Sequence, residues 1–297
     1  MDPKPRFTWE EMKEYWQIHS SRLSGIDYDL DPDGLGNVCI AGAPLWLNRY
    51  QASLQRIVYQ KLLHRVQTAG LKKRALEVGC GAGRWCRLLT ENAYDTIGID
   101  IQPELIDMNR VRYPKIEFHC TSVQDYSAEE PFDLISAVTV VQHIPFNEQD
   151  VVLRKFREII RLGGHVIMLE SIHYQTVNVF SNSVKEWRAK VEDAGFRCIA
   201  IQRYDYSPYQ RSYFWLVHRL ILILRRSTVE EPAMTPTDLV DSYTTSASRI
   251  VHKNFFGKLD NAFTSLAVRL DTGVEPLLIN SNIGLGARHC GFLFRAI

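Results

Sequence analysis

Three glycines at alternate positions, Gly79, Gly81 and Gly83, an acid at Asp100 and a histidine at His143 are the residues whose types and spacing bear most directly on chemistry. Glycines let a backbone turn through positive φ and let a ligand come close, and a helix starting just after them offers free N–H groups to a polar or anionic group. The stretch Leu76-Glu77-Val78-Gly79-Cys80-Gly81-Ala82-Gly83-Arg84-Trp85 has that form. It departs from the dinucleotide pattern G-x-G-x-x-G, whose last position would fall on Arg84. Asp100 closes the next apolar run about 20 residues on, where a carboxylate can accept both hydroxyls of a ribose.

Candidate bases are His143, Glu170 and His173, each following an apolar run. A histidine or carboxylate so placed can take a proton from an acceptor hydroxyl. Each also has a plainer reading. His143 can anchor the loop before Pro145, Glu170 can cap the next segment, and His119 reads as a buried, hydrogen-bonded side chain. No metal is expected, because Thr139-Val140-Val141-Gln142-His143 offers no group of oxygen anions to a hard cation. Asp29-Leu30-Asp31-Pro32-Asp33-Gly34 matches the first half of a calcium loop, but Pro32 stands fourth and Ile40 stands where a bidentate Glu belongs, so a turn is expected.

Short apolar runs at 75–78, 96–99, 116–119, 132–138, 165–169 and 196–201 predict strands. The amphipathic stretches between them, 84–92, 103–112, 147–161 and 183–194, predict helices. This alternation predicts a parallel sheet with helices on both faces and a ligand site beyond the carboxyl ends of the strands.

Set beside Gly98-Ile99-Asp100-Ile101, Asp125 in Ser122-Val123-Gln124-Asp125-Tyr126, Phe132-Asp133-Leu134-Ile135 and Leu162-Gly163-Gly164, the glycine run resembles the class I S-adenosylmethionine (SAM)-dependent methyltransferases. The matches stand in order over residues 74–206. Arg84-Trp85 and Val140 to Pro145 look like the bacterial small-molecule branches. The resemblance implies an α/β, Rossmann-like, seven-stranded, mostly parallel sheet, with 288–296 as the final antiparallel strand. It implies SAM as cofactor, with Gly79, Gly81 and Gly83 along its methionine portion, Asp100 on the ribose, Ile101 on adenine, Asp125 on the adenine amino group and Val140 against the cofactor. Glu77, Ser122, Val123 and Gln124 join the same binding set.

The implied reaction is methyl transfer to a small organic acceptor, an oxygen being favoured because candidate bases are at hand. Nitrogen, carbon or a lipid-linked glycan are alternative acceptors, and a non-catalytic SAM-binding regulator or cyclase partner is a reading from another class. A nucleic-acid target is disfavoured: the Asn/Asp-Pro-Pro-aromatic loop and the Pro-Cys dipeptide are missing, and 35 Lys+Arg against 34 Asp+Glu give a formal charge of only +1.

The 297 residues exceed what that core needs. Residues 1–70 are expected to form a helical cap or lid, 71–206 the SAM-binding core, 207–286 an insertion for acceptor binding or oligomerisation, and 287–297 the last strand. In the cap, Pro44 to Leu71 predicts a helix with an apolar stripe through Leu47, Leu54, Ile57, Val58, Leu62, Leu63 and Val66. Tyr15, Trp16 and Asn48 to Tyr50 are lid candidates. Tyr204, Tyr206 and Tyr209 are candidates for the acceptor pocket. The acid-free, arginine-bearing segment from Tyr213 to Arg226 reads as a homodimer or lid helix, with peripheral membrane contact as the alternative. It is too short and too charged to span a bilayer. Six scattered cysteines without a C-x-x-C pair, and no apolar leader, point to a reduced, cytoplasmic setting.

Overall fold

Seven strands form one sheet in the order β3-β2-β1-β4-β5-β9-β8, where β1 is Lys73–Val78, β2 Tyr94–Asp100, β3 Glu117–Cys120, β4 Phe132–Val138, β5 Ile160–Ser171, β8 Phe196–Tyr204 and β9 His289–Ala296. A computed structural model of the chain describes residues 6–22, 31, 33–38, 43–66, 73–213, 215, 216, 235–238 and 255–297. Most of the segment from Tyr213 to Arg226, and Asp29, Leu30, Pro32 and Ile40 of the calcium-like stretch, lie outside the described residues.

The central strands read as continuous apolar runs because both faces are covered. All seven residues of β4 are buried. From β3 to β5 the pairings are parallel, and β9 runs antiparallel between β5 and β8, as the resemblance implies. The strand order reverses at β1, with β2 on one side and β4 on the other. The crevice beyond their carboxyl ends is therefore the topological switch point at which such sheets take ligands.

Helices α4 (Arg84–Glu91), α5 (Pro103–Arg112), α6 (Phe146–Ile159) and α7 (Val184–Asp193) connect the strands. Their starts carry local signals. Pro103 stands in the first turn of α5, and Ser183 with Glu186 makes a reciprocal capping box on α7. Three details differ from expectation. α6 ends at Ile159 and β5 starts at Ile160, because Ile160 pairs with Phe132 ahead of a register shift. A small hairpin, β6 (Gln175–Thr176) and β7 (Val179–Phe180), follows β5. His119 is not buried; it is partly exposed, with Nε2 2.6 Å from Glu117 Oε1.

Before the core come α1 (Trp9–Arg22), the short α2 (Leu35–Val38) and α3 (Leu45–Leu63). α3 buries Tyr50, Leu54, Val58, Tyr59 and Leu62 against the sheet. Its approach to β9 is close: a Cβ at Gly291 would lie 2.5 Å from Val58 Cγ1. The calcium-like stretch is a turn where it is described. Asp31 receives the Gly34 N–H on its carbonyl and the Gly36 N–H on Oδ2, and Asp33 pairs with Arg87.

Past β8, helix α8 (Phe255–Ser281) returns along α3 and β8. Two buried acids on α8 hold the start of the insertion by its backbone. Glu275 accepts the N–H groups of Tyr206 and Ser207, and Asp271 those of Tyr209 and Gln210. Asp205, fully enclosed, accepts from Arg288 and His289 and so ties β8 to β9, with its carboxyl held far below the usual range by those two partners against burial.

Candidate active site

A cleft of about 910 Å³, measured out to open solvent, lies over the carboxyl ends of β1, β2 and β4. That is within the range of small-molecule sites. One end is formed by Asp100, Ile101, Gln102 and Thr121 to Gln124, its floor by Val78 to Gly81, and the other end by Val138 to Val140, His143, Ile144, Trp9 and Trp16.

The floor is a backbone surface. Gly79 and Gly81 have φ of +63° and +51°, and Gly83, at +78°, is the N-cap of α4. A Cβ at Gly79 would stand 2.5 Å from Val140 Cγ2, so the loop and the chain leaving β4 touch only because a side chain is missing. Asp100 is buried and accepts Gly81 N–H on Oδ2 at 2.8 Å and Gln102 N–H on Oδ1 at 3.0 Å. Burial raises its pKa and these backbone donors lower it. Each oxygen keeps acceptor capacity at the cleft wall, which suits a pair of ribose hydroxyls.

Glu77 lies beneath the floor, wholly buried, and neither carboxylate oxygen has a hydrogen-bond partner at standard geometry among the described residues. Burial pushes its carboxyl up to about 8, against the Ser136 hydroxyl and the Arg84 guanidinium, which lower it. At the Asp100 end, the amide nitrogen of Gln124 is buried and has no hydrogen-bond partner among the described residues. A glycine cradle, a carboxylate with spare lone pairs and orphaned buried polar atoms around one cleft fit an adenosyl cofactor carrying a charged amino acid.

At the opposite end Thr139 takes a left-handed φ of +56°, turning the chain from β4 into a 3₁₀ turn, Val141–His143. Strain of this kind persists only where the surroundings fix it. Glu170 supplies the fixing: its two carboxylate oxygens accept the N–H groups of Val141 and Gln142, each at 3.0 Å. Its carboxyl is pushed up to about 8 by burial, against those same donors.

The tautomer of His143 follows from its neighbours. Ser171 N–H donates to Gln142 Oε1 at 2.6 Å, so the Gln142 amide nitrogen faces His143 Nε2, at 3.2 Å. Nε2 is therefore the bare nitrogen, and Nδ1–H donates to the Asn178 carbonyl at 2.8 Å. Burial draws the imidazole down to about 4, against the Asn178 carbonyl, which raises it, so the ring is neutral at physiological pH. Trp16 meets the ring edge-on, with centroids 5.0 Å apart.

Of the residues singled out in the sequence, Gly79, Gly81, Asp100, Ile101, Ser122, Val123, Gln124, Val140, His143 and Trp16 are brought together around the cleft. Others are placed elsewhere. Asp125 is exposed and closes its own turn with Ser122. His173 is exposed beyond β5, and Glu170 serves the turn. Tyr15 is buried behind Trp16, and Asn48 and Tyr50 face the core. Tyr204 stacks on His289, Tyr206 donates to the Ile283 carbonyl and Tyr209 is exposed, none of them in the cleft. Trp9, Arg84 and Trp85 line it without having been singled out as site residues. Trp9 lies seven residues before Trp16 on one helix face, a spacing that could have found it.

Residues 75–164 match the family described as "Methyltransferase domain". The chain is 38% identical over 80 residues to the "Ubiquinone biosynthesis O-methyltransferase" of Nitrobacter winogradskyi, which covers 26% of this chain and 30% of that one. It is 34% identical over 97 residues to "Nodulation protein S" of Rhizobium tropici, 31% and 41% of the two chains. The matched stretches span only 30% and 41% of the length of these two curated relatives. Among solved structures, the "[4+2]-Cyclase SpnF" shares the fold over 99% of both chains, with a TM-score of 0.56 at 14% identity. With its sheet order and its glycine and aspartate cleft, the core is a class I SAM-dependent methyltransferase domain.

Proposed function

We propose that the chain transfers the methyl group of SAM to a hydroxyl oxygen of a small organic acceptor, without a metal, the acceptor lying at the end of the cleft walled by Trp9, Trp16 and His143. The observation that carries this reading is the bare Nε2 of a neutral His143 in the wall away from Asp100. The cofactor supplies a methyl group already activated on a sulfonium, so the protein chiefly aligns the two reactants. Asp100 and the glycine floor hold the cofactor. Trp9, Trp16 and Ile144 give the acceptor an apolar seat that keeps water away. His143 Nε2 accepts the hydrogen bond of the acceptor hydroxyl in place of the Gln142 amide.

A histidine held near 4 is a weak proton sink, which favours acidic hydroxyls such as phenols over alkyl alcohols. The same weakness supports a second reading, a neutral amine acceptor that needs alignment alone. The five described cysteines are free thiols, which supports a cytoplasmic setting. No helix among the described residues is long and apolar enough to cross a membrane.

Isotope-labelled SAM offered with panels of phenols, alcohols and amines tests the reading. We expect label in phenols, undiminished by excess EDTA, and about a hundredfold lower kcat in His143→Ala. Label confined to amines, or full turnover by His143→Ala across pH 6 to 9, would overturn the oxygen assignment.

A further inference from the structure

A second cavity, of about 670 Å³ out to open solvent, lies between α3 and α4 with the turn before α2 as its third wall. Four arginines line it: Arg49 and Arg56 from α3, Arg84 and Arg87 from α4. On α3 the lining residues are Arg49, Ala52, Ser53 and Arg56, a spacing of three, four and seven that puts them on one helix face. The two small side chains between the arginines leave the space the cavity occupies.

Its acids are already engaged. Asp33 meets Arg87 at 2.8 Å and Glu91 meets the same guanidinium at 3.7 Å. Arg56 and Arg84 have no carboxylate within ion-pair distance among the described residues. Arg84 is only 9% exposed. Its guanidinium donates to the neutral Gln55 amide oxygen at 2.6 Å and lies 4.7 Å over the Trp85 ring, which leaves most of its five N–H donors to find other acceptors. Glu77 feels its charge, but no carboxylate among the described residues pairs with it directly, and a cation so placed favours an added anion. The Trp85 indole N–H is buried and has no partner among the described residues, and Arg84 and Trp85 line both this cavity and the first cleft.

We propose that this cavity is an oxyanion site, taking a phosphate or carboxylate group between Arg49 and Arg56 on α3 and Arg84 on α4, and that the Arg84–Trp85 wall couples it to the cofactor cleft. Planar guanidiniums bind such groups through paired, charge-assisted hydrogen bonds. The inference rests on the arginine geometry and does not depend on which atom is methylated.

Isothermal titration with inorganic phosphate, acetate and glycerol phosphate, at ionic strength held constant with chloride, tests it on the full chain. Saturable 1:1 phosphate binding is expected, weakened about tenfold by Arg56→Gln and more by Arg49→Gln with Arg56→Gln, while S-adenosylhomocysteine still binds both variants. Tighter binding of glycerol phosphate than of phosphate would identify an ester as the occupant, and tighter acetate binding a carboxylate. Coupling predicts that saturating phosphate changes the S-adenosylhomocysteine affinity without abolishing it, and the reverse by the same factor. Three results would overturn the proposal: no binding beyond that of chloride, binding unchanged in the double variant, or strict competition with S-adenosylhomocysteine, which would give the arginines to the cofactor.

Discussion

The carboxylate of Asp100 accepts the backbone N–H of Gly81 at 2.8 Å, so the residue at the end of β2 also fastens the glycine loop after β1. Asp100→Ala removes the fastener and, on the proposed function, the ribose acceptor together. We expect the thermal stabilisation by S-adenosylhomocysteine to vanish and its affinity to fall about a hundredfold, since hydrogen bonds to a charged group are each worth about 1.5–3 kcal/mol. Asp100→Asn, which keeps an oxygen for Gly81, retains part of the binding. Calorimetric titration reads both variants, and undiminished affinity in Asp100→Ala would remove this residue from the site.

Gly79 and Val140 form a contact that can be tested as a pair. Gly79→Ala adds a methyl 2.5 Å from Val140 Cγ2 at a φ of +63°, which should cost about 1–3 kcal/mol from overpacking and about 1–2 kcal/mol from the left-handed backbone. Val140→Ala in that background relieves the first contribution and leaves the second. Urea unfolding of the four proteins should be non-additive in the rescuing direction; strict additivity would mean the loop relaxes away from Val140.

Glu170→Ala strands two buried N–H groups, at about 1–3 kcal/mol each. The stability loss should be about 2–6 kcal/mol, accompanied by faster hydrogen exchange at Val141 and Gln142. Glu170→Gln, with one acceptor oxygen, should fall between. If Glu170→Ala were as stable as wild type, the 3₁₀ turn would be held by something other than this carboxylate.

His19, packed against Tyr15 and Trp16, is held near 4 by burial and by the neighbouring His143. In the unfolded chain its value is about 6.5. Between those values the unfolded chain binds the extra proton, so the stability His19 contributes is whole above about 6.5 and is lost as pH falls toward about 4. The full shift corresponds to about 3 kcal/mol. Chemical unfolding of wild type and His19→Phe across pH 4 to 7.5 should show wild type losing ground steadily on acidification, whereas a gap independent of pH would place His19 in water.

The core was legible because its signals are local. The alternation of runs and helices from β1 to β8 and the positive-φ glycines are properties of neighbours in sequence, and the expected strands fall within a few residues of those observed. Asp100 was legible for the same reason, standing where a strand ends.

What stayed hidden depends on contacts across the chain. Glu170 looked like a base because it follows a strand, but its carboxylate reaches back 29 residues to the Val141 amide. Tyr204, Tyr206 and Tyr209 looked like a phenol cluster, whereas β8 and the residues after it direct them to β9, to the turn after α8 and to solvent. Nothing in a spacing of two and three says which face of a strand looks toward a ligand. Arg84 and Trp85 stood next to the glycines, but their position between two cavities requires α3, a helix with no sequence link to them.

β9 lies between β5 and β8, yet it follows β8 only after the whole insertion. Until that stretch arrives, β5 and β8 each present an open edge, and the loop that must close is long, which slows the pairing and leaves strands free to join the wrong partner. Strands β1 to β5, which carry the cofactor cleft, can pair before then. The order of assembly is therefore set by a strand that does not line the cleft, and folding yield should be more sensitive to β9 than catalysis is.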